Sequence, residues 1–170
     1  MSFLELAKAR YSCRRLTDAT IEPEKIERIL QAAIAAPTAK NVQPYKIWAI
    51  KSAEAFDKLK QATNYTFGSA LAFVIGSKAE GAFVRPFDGK NFADVDATIV
   101  ATHLMLAVQD EGLGTTWVGY FDAPKLKELF PEMQDYELIA IFPVGYPAED
   151  AKPHVRHGER RAISEAVVEL

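Results

Sequence analysis

The chain has 170 residues, of which 49% are hydrophobic and 25% charged, enough apolar surface to close the core of a single domain, residues 1–170, and too much for a disordered protein. Nine Gly and nine Pro without period exclude collagen-like and low-complexity classes, and a net charge of −3 argues against a nucleic-acid partner. Cys13 is the single cysteine, which rules out an intramolecular disulfide and a thiolate zinc site and fits a reducing cytoplasm.

Met1 to Arg10 carries Glu5 in its middle and lacks the apolar stretch and cleavage site of a secretory signal. Ser2 and Glu5 form a capping-box pair, and Phe3, Leu6, Ala7 and Arg10 recur at helical spacing, so a short helix opens the chain and ends near Arg10. A second helix starts at Pro23, carries the stripe Ile26, Ile29, Leu30, Ala33 and Ile34, and stops before Ala36 because Pro37 excludes its predecessor from helical geometry. Strands are predicted at Tyr45 to Ile50, Leu71 to Ile75, Thr115 to Phe121 and Leu138 to Val144. Helices are predicted at about Ala53 to Ala62, Asp94 to Glu111 and Pro124 to Phe130. Lys78 to Ala93, with Gly81, Pro86 and Gly89, reads as a mobile loop.

The chargeless run Ala97 to Val108 falls well short of the ~20 residues that cross a bilayer, so no membrane partner is expected. It is apolar on nearly every face and needs cover all round, which a second subunit would supply; a homodimer is expected.

Four segments could carry chemistry. In Arg10-Tyr11-Ser12-Cys13-Arg14 an extended backbone projects residues 10, 12 and 14 to one side, a grip for a phosphate, unless these are two solvated arginines in a loop. Lys152, Arg156, Arg160 and Arg161 make the C-terminal segment locally basic, either a second grip on the same anion or a solubilising tail. Ala36 to Tyr45 holds Thr38, Asn41 and Gln43 on a proline-stiffened loop suited to a polyhydroxyl or heteroaromatic ligand, with a structural loop as the competing reading. Gly112 to Phe121 brackets an aromatic strand with glycines, which lets a flat ligand approach the backbone, or is a core strand with a packed Trp117.

A reaction centre is missing from this inventory. His103 reads as a hydrogen-bonded core histidine, His154 and His157 lack the helix that would pair them on a metal, and no metal site is expected. No nucleophile elbow occurs. Binding parts without catalytic groups suit a protein whose cofactor performs the hard step.

Taken in order, R-Y-S-C-R at Arg10 to Arg14, A-P-T-A-K-N-V-Q-P-Y at Ala36 to Tyr45, G-L-G-T-T-W-V-G at Gly112 to Gly119, P-V-G-Y-P at Pro143 to Pro147 and R-R-A-I-S-E near the end resemble the FMN-dependent nitroreductase family, particularly its compact members, over nearly the whole chain. The resemblance implies an α+β fold, a mostly antiparallel sheet covered by helices in a nitroreductase-like FMN-binding sandwich, with two FMN sites in an intertwined homodimer. It implies that Arg10, Ser12 and Arg14, with Arg160 or Arg161, hold the FMN phosphate while Tyr11 helps seat the cofactor. Asn41 and Gln43 would bond the ribityl chain or ring edge. Pro37, Thr38 and Ala39 would come from the other subunit and lie against the isoalloxazine, and Trp117, Val118 and Gly119 would present backbone groups to its reactive side. The activity implied is NAD(P)H oxidoreduction: NADH or NADPH gives hydride to FMN, and a small-molecule acceptor such as a nitroaromatic or quinone follows it into one slot. Tyr45 stands where the family commonly has Trp, and Ala162 where Pro is frequent. Two other functions compete, a relative whose flavin chemistry is dehalogenation or flavin breakdown, and a non-catalytic FMN or nucleotide-phosphate binding protein.

Overall fold

The computed structural model describes residues 2–170; the reading of Met1 lies outside them. The opening helix α1 spans Phe3–Ala9 and carries the full capping box: Glu5 N–H donates to Ser2 Oγ at 3.3 Å and Ser2 N–H to Glu5 Oε2 at 2.6 Å. Helix α2, Pro23–Ile34, starts on its proline and ends at a cap on Ala35, ahead of Pro37 as the steric argument requires. Then follow β1 (Tyr45–Ile50), α3 (Ala53–Ala62, capped by Ser52), β2 (Leu71–Ser77), α4 (Ala93–Asp110), β3 (Gly114–Thr115), α5 (Ala123–Leu129, capped by Asp122), β4 (Glu137–Gly145) and α6 (Ile163–Ala166).

The strands form one sheet in the order β1-β2-β4-β3, antiparallel at every pairing. Helices cover both faces, which is why β2 is buried along its whole length and reads as an unbroken apolar run. Leu71, Phe73 and Ile75 join Ile29 and Ala33 of α2 and Ala97, Val100 and Leu104 of α4 on one side; Ala72 and Val74 join Phe56 and Leu59 of α3 and Leu126 of α5 on the other. Each fully buried Phe, Leu or Ile contributes about 1.5–3 kcal/mol by leaving water, so the two-sided β2 is the main tie between layers. A bulge opposite Ile75/Gly76 shifts β4 by one residue, so that Leu138 and Ile141 share the α3/α5 face although their spacing is odd.

Three expectations need correction. The strand predicted at Thr115 to Phe121 pairs only at Gly114–Thr115 and again at an isolated bridge between Val118 and Ile141. Continuing that register sets Thr116 opposite Pro143, which has no N–H to give the ladder. The segment read as a mobile loop is a small hairpin: Phe92 N–H donates to Phe83 O at 2.9 Å, Arg85 N–H to Lys90 O at 2.9 Å, the Phe83 and Phe92 rings lie 5.5 Å apart, and Arg85 pairs with Asp88. His103 is half-buried on α4 and makes no side-chain hydrogen bond among the described residues, rather than sitting bonded in the core.

No helix among the described residues is long and apolar enough to cross a membrane. Helix α4 buries Ala93, Asp96, Ala97, Val100, Ala101, Leu104 and Val108 against its own chain and leaves Ile99, Met105 and Ala107 only partly covered.

Candidate functional site

The site starts where α1 ends. Arg10 is extended and breaks the helix, and the next residues run along the sheet: Cys13 N–H donates to Thr115 O, Leu16 N–H to Phe67 O and Thr17 N–H to Tyr146 O, each at 2.9 Å. The approach is close because Gly114 and Gly145 carry no Cβ; one at Gly114 would meet Cys13 Cβ and Sγ at 3.0 Å, and one at Gly145 would meet Thr17 O at 2.7 Å. Cys13, between Ser12 and Arg14, points into the core. Extended alternation then turns Arg10, Ser12 and Arg14 outward together.

The C-terminal segment returns over them. Ala148 N–H donates to Arg15 O at 3.0 Å, and His157 Nε2 lies 3.2 Å from Lys8 O. The short turn Val155–Gly158 is capped by His154 Nδ1, which accepts the Arg156 N–H at 3.2 Å. The Tyr11 and His157 rings meet edge to face with centroids 6.3 Å apart. Together these residues line an open cleft of about 620 Å³ whose walls are Arg10, Tyr11, Ser12, Arg14, His154, Arg156, His157, Glu159 and Arg160.

The cleft is strongly basic. Arg156 is paired with Glu159 at 2.9 Å, Arg15 with Asp150 at 2.9 Å, Arg28 with Glu111 at 2.6 Å, and Arg85 with Asp88. Arg10, Arg14 and Arg160 have no carboxylate partner among the described residues. Arg160 donates instead to the carbonyls of His157 and Glu159, at 2.6 and 2.7 Å. Burial, and then the like charge of Arg160, lowers the Arg10 guanidinium below its ordinary range. Burial also pushes the Tyr11 phenol up to about 12, helped by the Cys13 thiol beside it. Unneutralised guanidinium groups crowded around one concavity form a receptor for a dianion.

Arg14 also borders a cleft of about 200 Å³ lined by Tyr65, Phe67, Thr116, Trp117, Val118, Gly119 and Tyr120. Trp117 packs edge-on against Phe142 at 5.1 Å, so it is anchored to the core as well as facing the cleft. The basic concavity and the cleft along Trp117–Gly119 thus have Arg14 as a common wall.

Pro37, Thr38, Ala39, Asn41 and Gln43 lie elsewhere and line none of these clefts. Their loop is unusual in itself: Lys40, Asn41 and Gln43 have φ of +53°, +56° and +56°, left-handed values that residues with a Cβ seldom adopt. Gln43 N–H donates to Thr38 Oγ1 at 3.1 Å and Gln43 Nε2 to Asn41 Oδ1 at 3.3 Å. Lys40 Nζ rests 4.8 Å from the Phe83 ring of the hairpin. Of the two candidate terminal arginines, Arg160 lines the basic cleft and Arg161 stands exposed outside it. Sequence reasoning missed His154, His157 and Glu159 as cleft residues; their place depends on a chain return that leaves no local periodicity.

A family model described as Nitroreductase family matches residues 7–67 and 59–146. A nitroreductase family protein from Clostridium difficile 630 superposes with a TM-score of 0.90 at 37% identity, covering 99% of this chain and 98% of its own. An Archaeoglobus fulgidus protein, named provisionally as NADH dehydrogenase/NAD(P)H nitroreductase, is 28% identical over 157 residues, 86% of each chain. A chain from Exiguobacterium sibiricum, described provisionally as a nitroreductase and solved in complex with FMN, matches in fold with a TM-score of 0.85 at 19% identity over the whole of this chain and 98% of its own. With more than half its length matched by the family model and this architecture, the chain belongs to the nitroreductase family.

Proposed function

We propose that the protein is an FMN-dependent NAD(P)H oxidoreductase whose flavin is clamped between two copies of the chain. The observation that carries this reading is the set of three guanidinium groups, Arg10, Arg14 and Arg160, left without carboxylate partners around one concavity. A phosphate monoester suits it better than a carboxylate, because a dianion with three oxygens can engage several guanidinium forks and the Ser12 hydroxyl together.

Other residues of the chain support the same cofactor. Arg14 joins the phosphate grip to the cleft along Trp117, Val118 and Gly119, whose backbone would lie beside the ring system. Tyr11, edge-to-face with His157, would close the phosphate end. Asn41 and Gln43 offer neutral donors and acceptors for the ribityl chain or ring edge, on a strained loop of the kind that collects at functional sites.

The loop lines neither cleft of its own chain. A second copy would therefore bring Pro37, Thr38 and Ala39 to the site. Two further features support that dimer: the partly covered Ile99 and Met105 of α4, and the C-terminal tail, whose Ile163, Val167 and Val168 are left exposed by their own chain.

When bound, FMN would accept hydride from NADH or NADPH and pass it to a nitroaromatic, a quinone or a similar acceptor that occupies the same slot in turn. The protein's share is to fix the phosphate, orient the ring against the Trp117–Gly119 backbone, and supply positive potential from the arginines where negative charge develops. No general acid or base of the chain is required for that role. We place the protein in the cytoplasm, where the buried free thiol of Cys13 stays reduced.

Titrating the apo-protein with FMN tests the reading: flavin fluorescence should be quenched with a stoichiometry of one FMN per chain, and sedimentation should show a dimer. A protein that cannot be reconstituted would remove the flavin assignment. A yellow protein that nicotinamides never bleach would favour a binding role.

A further inference from the structure

The α2–β1 loop is held by a group for which the flavin reading has no use. Asp96, in the first turn of α4, is 1% exposed. Its Oδ1 accepts the Ala39 N–H at 2.9 Å, and its Oδ2 has no partner among the described residues. Burying a carboxylate with one oxygen orphaned opposes folding, and an uncharged residue would occupy the same position at lower free energy. The N-terminal end of α4 offsets part of that cost, and the bonded oxygen offsets more.

That oxygen fixes Ala39, immediately before the backbone turns left-handed. Lys40, Asn41 and Gln43 all hold positive φ without a glycine, and the Thr38, Asn41 and Gln43 side-chain bonds that brace them are exposed to competing water. Of the contacts that restrain the loop, the Asp96 bond alone is charge-assisted and shielded, so it is the strongest tether.

We infer that Asp96 is the positioning residue of the Pro37–Gln43 loop. Its buried carboxylate locks Ala39 and so keeps Asn41 and Gln43 presented outward in their left-handed conformation. The inference about the loop stands on this chain alone; its consequence for flavin affinity rests on the reading given above. Asp96 does not touch the flavin and acts through Asn41 and Gln43.

The test uses the full-length apo-protein with Asp96→Ala and Asp96→Asn. In Asp96→Ala, amide exchange across residues 37–43 should accelerate about tenfold or more while exchange in β2 stays at the wild-type rate. Asp96→Asn keeps an acceptor oxygen and should restore most of the protection. In Asp96→Ala, affinities for FMN and riboflavin should fall together by about the same factor, since the phosphate grip is untouched, and Asp96→Asn should recover most of both. Asn41→Ala added to Asp96→Ala should weaken flavin binding no further. Unchanged exchange in 37–43 would overturn the inference. So would equal acceleration in β2, or loss of the fold in Asp96→Ala with a normal loop in Asp96→Asn, because the residue would then be serving the core. Should the wild type bind no flavin while the loop responds as expected, the cofactor reading fails and the loop assignment stands.

Discussion

Replacing Arg14 with alanine removes the guanidinium that borders both clefts and leaves the fold intact. Arg14 has no carboxylate partner, so its loss strands no buried charge. One hydrogen bond to a charged group contributes about 1.5–3 kcal/mol, which converts to FMN binding weakened by about tenfold to about a hundredfold. Riboflavin lacks the phosphate and should bind the variant as it binds the wild type. The dependence of FMN affinity on ionic strength should flatten, because one of the cations that attract the phosphate is gone. Melting of the apo-protein should stay level, since no ion pair is broken. Arg15→Ala is the control: its pair with Asp150 is 66% and 62% exposed, and such surface pairs contribute about 0–1 kcal/mol to stability and nothing to the cleft. Fluorescence titrations with both flavins at low and high salt read every term. Equal weakening toward FMN and riboflavin, or unchanged FMN affinity, would refute the assignment of these arginines to phosphate.

Gly114→Ala should destabilise by about 1–3 kcal/mol, because the new methyl lands 2.9 Å from Leu16 Cδ2 and 3.0 Å from Cys13; a melting temperature unchanged in calorimetry would contradict the close approach. Ile99→Asp puts a charge on the partly covered face of α4 and should yield a monomer that releases its flavin; a dimeric apo-protein in sedimentation would break that coupling. The Tyr11 phenol, held at about 12, favours the fold below the ordinary phenol value near pH 10, and this contribution should be lost as pH rises through about 12. Burial raises the Tyr45 phenol as well, so alkaline absorbance should show late-titrating tyrosine of which Tyr11→Phe removes one component together with the late stability loss, and an unaltered titration curve would count against it.

Local signals carried much of the architecture. The Ser2–Glu5 box, Pro23 at a helix start and Pro37 beyond a helix end each act within a few residues of the boundary they set, and the observed helices begin and end there. The same holds for Arg10, Ser12 and Arg14, whose common side follows from an alternation of two. What was illegible is non-local. The predicted third strand is cut short by Pro143, which lies on the neighbouring strand, and no property of Thr116 or Trp117 announces that. Gly81, Pro86 and Gly89 punctuate a hairpin as readily as an irregular loop; the pairing of Phe83 with Phe92 decided between them. Left-handed backbone at Lys40, Asn41 and Gln43 could not be foreseen without a glycine to mark it. His154, His157 and Glu159 reach the cleft only because the C-terminal segment folds back over α1.

The absorbance spectrum of the purified protein, followed by anaerobic titration with NADH and then NADPH, bears most directly on the central claim. The account predicts the bands of an oxidised flavin, bleached by about one equivalent of nicotinamide per chain and restored by a quinone or nitroaromatic. A colourless protein that FMN cannot reconstitute, or a yellow one that neither nicotinamide bleaches, would contradict it.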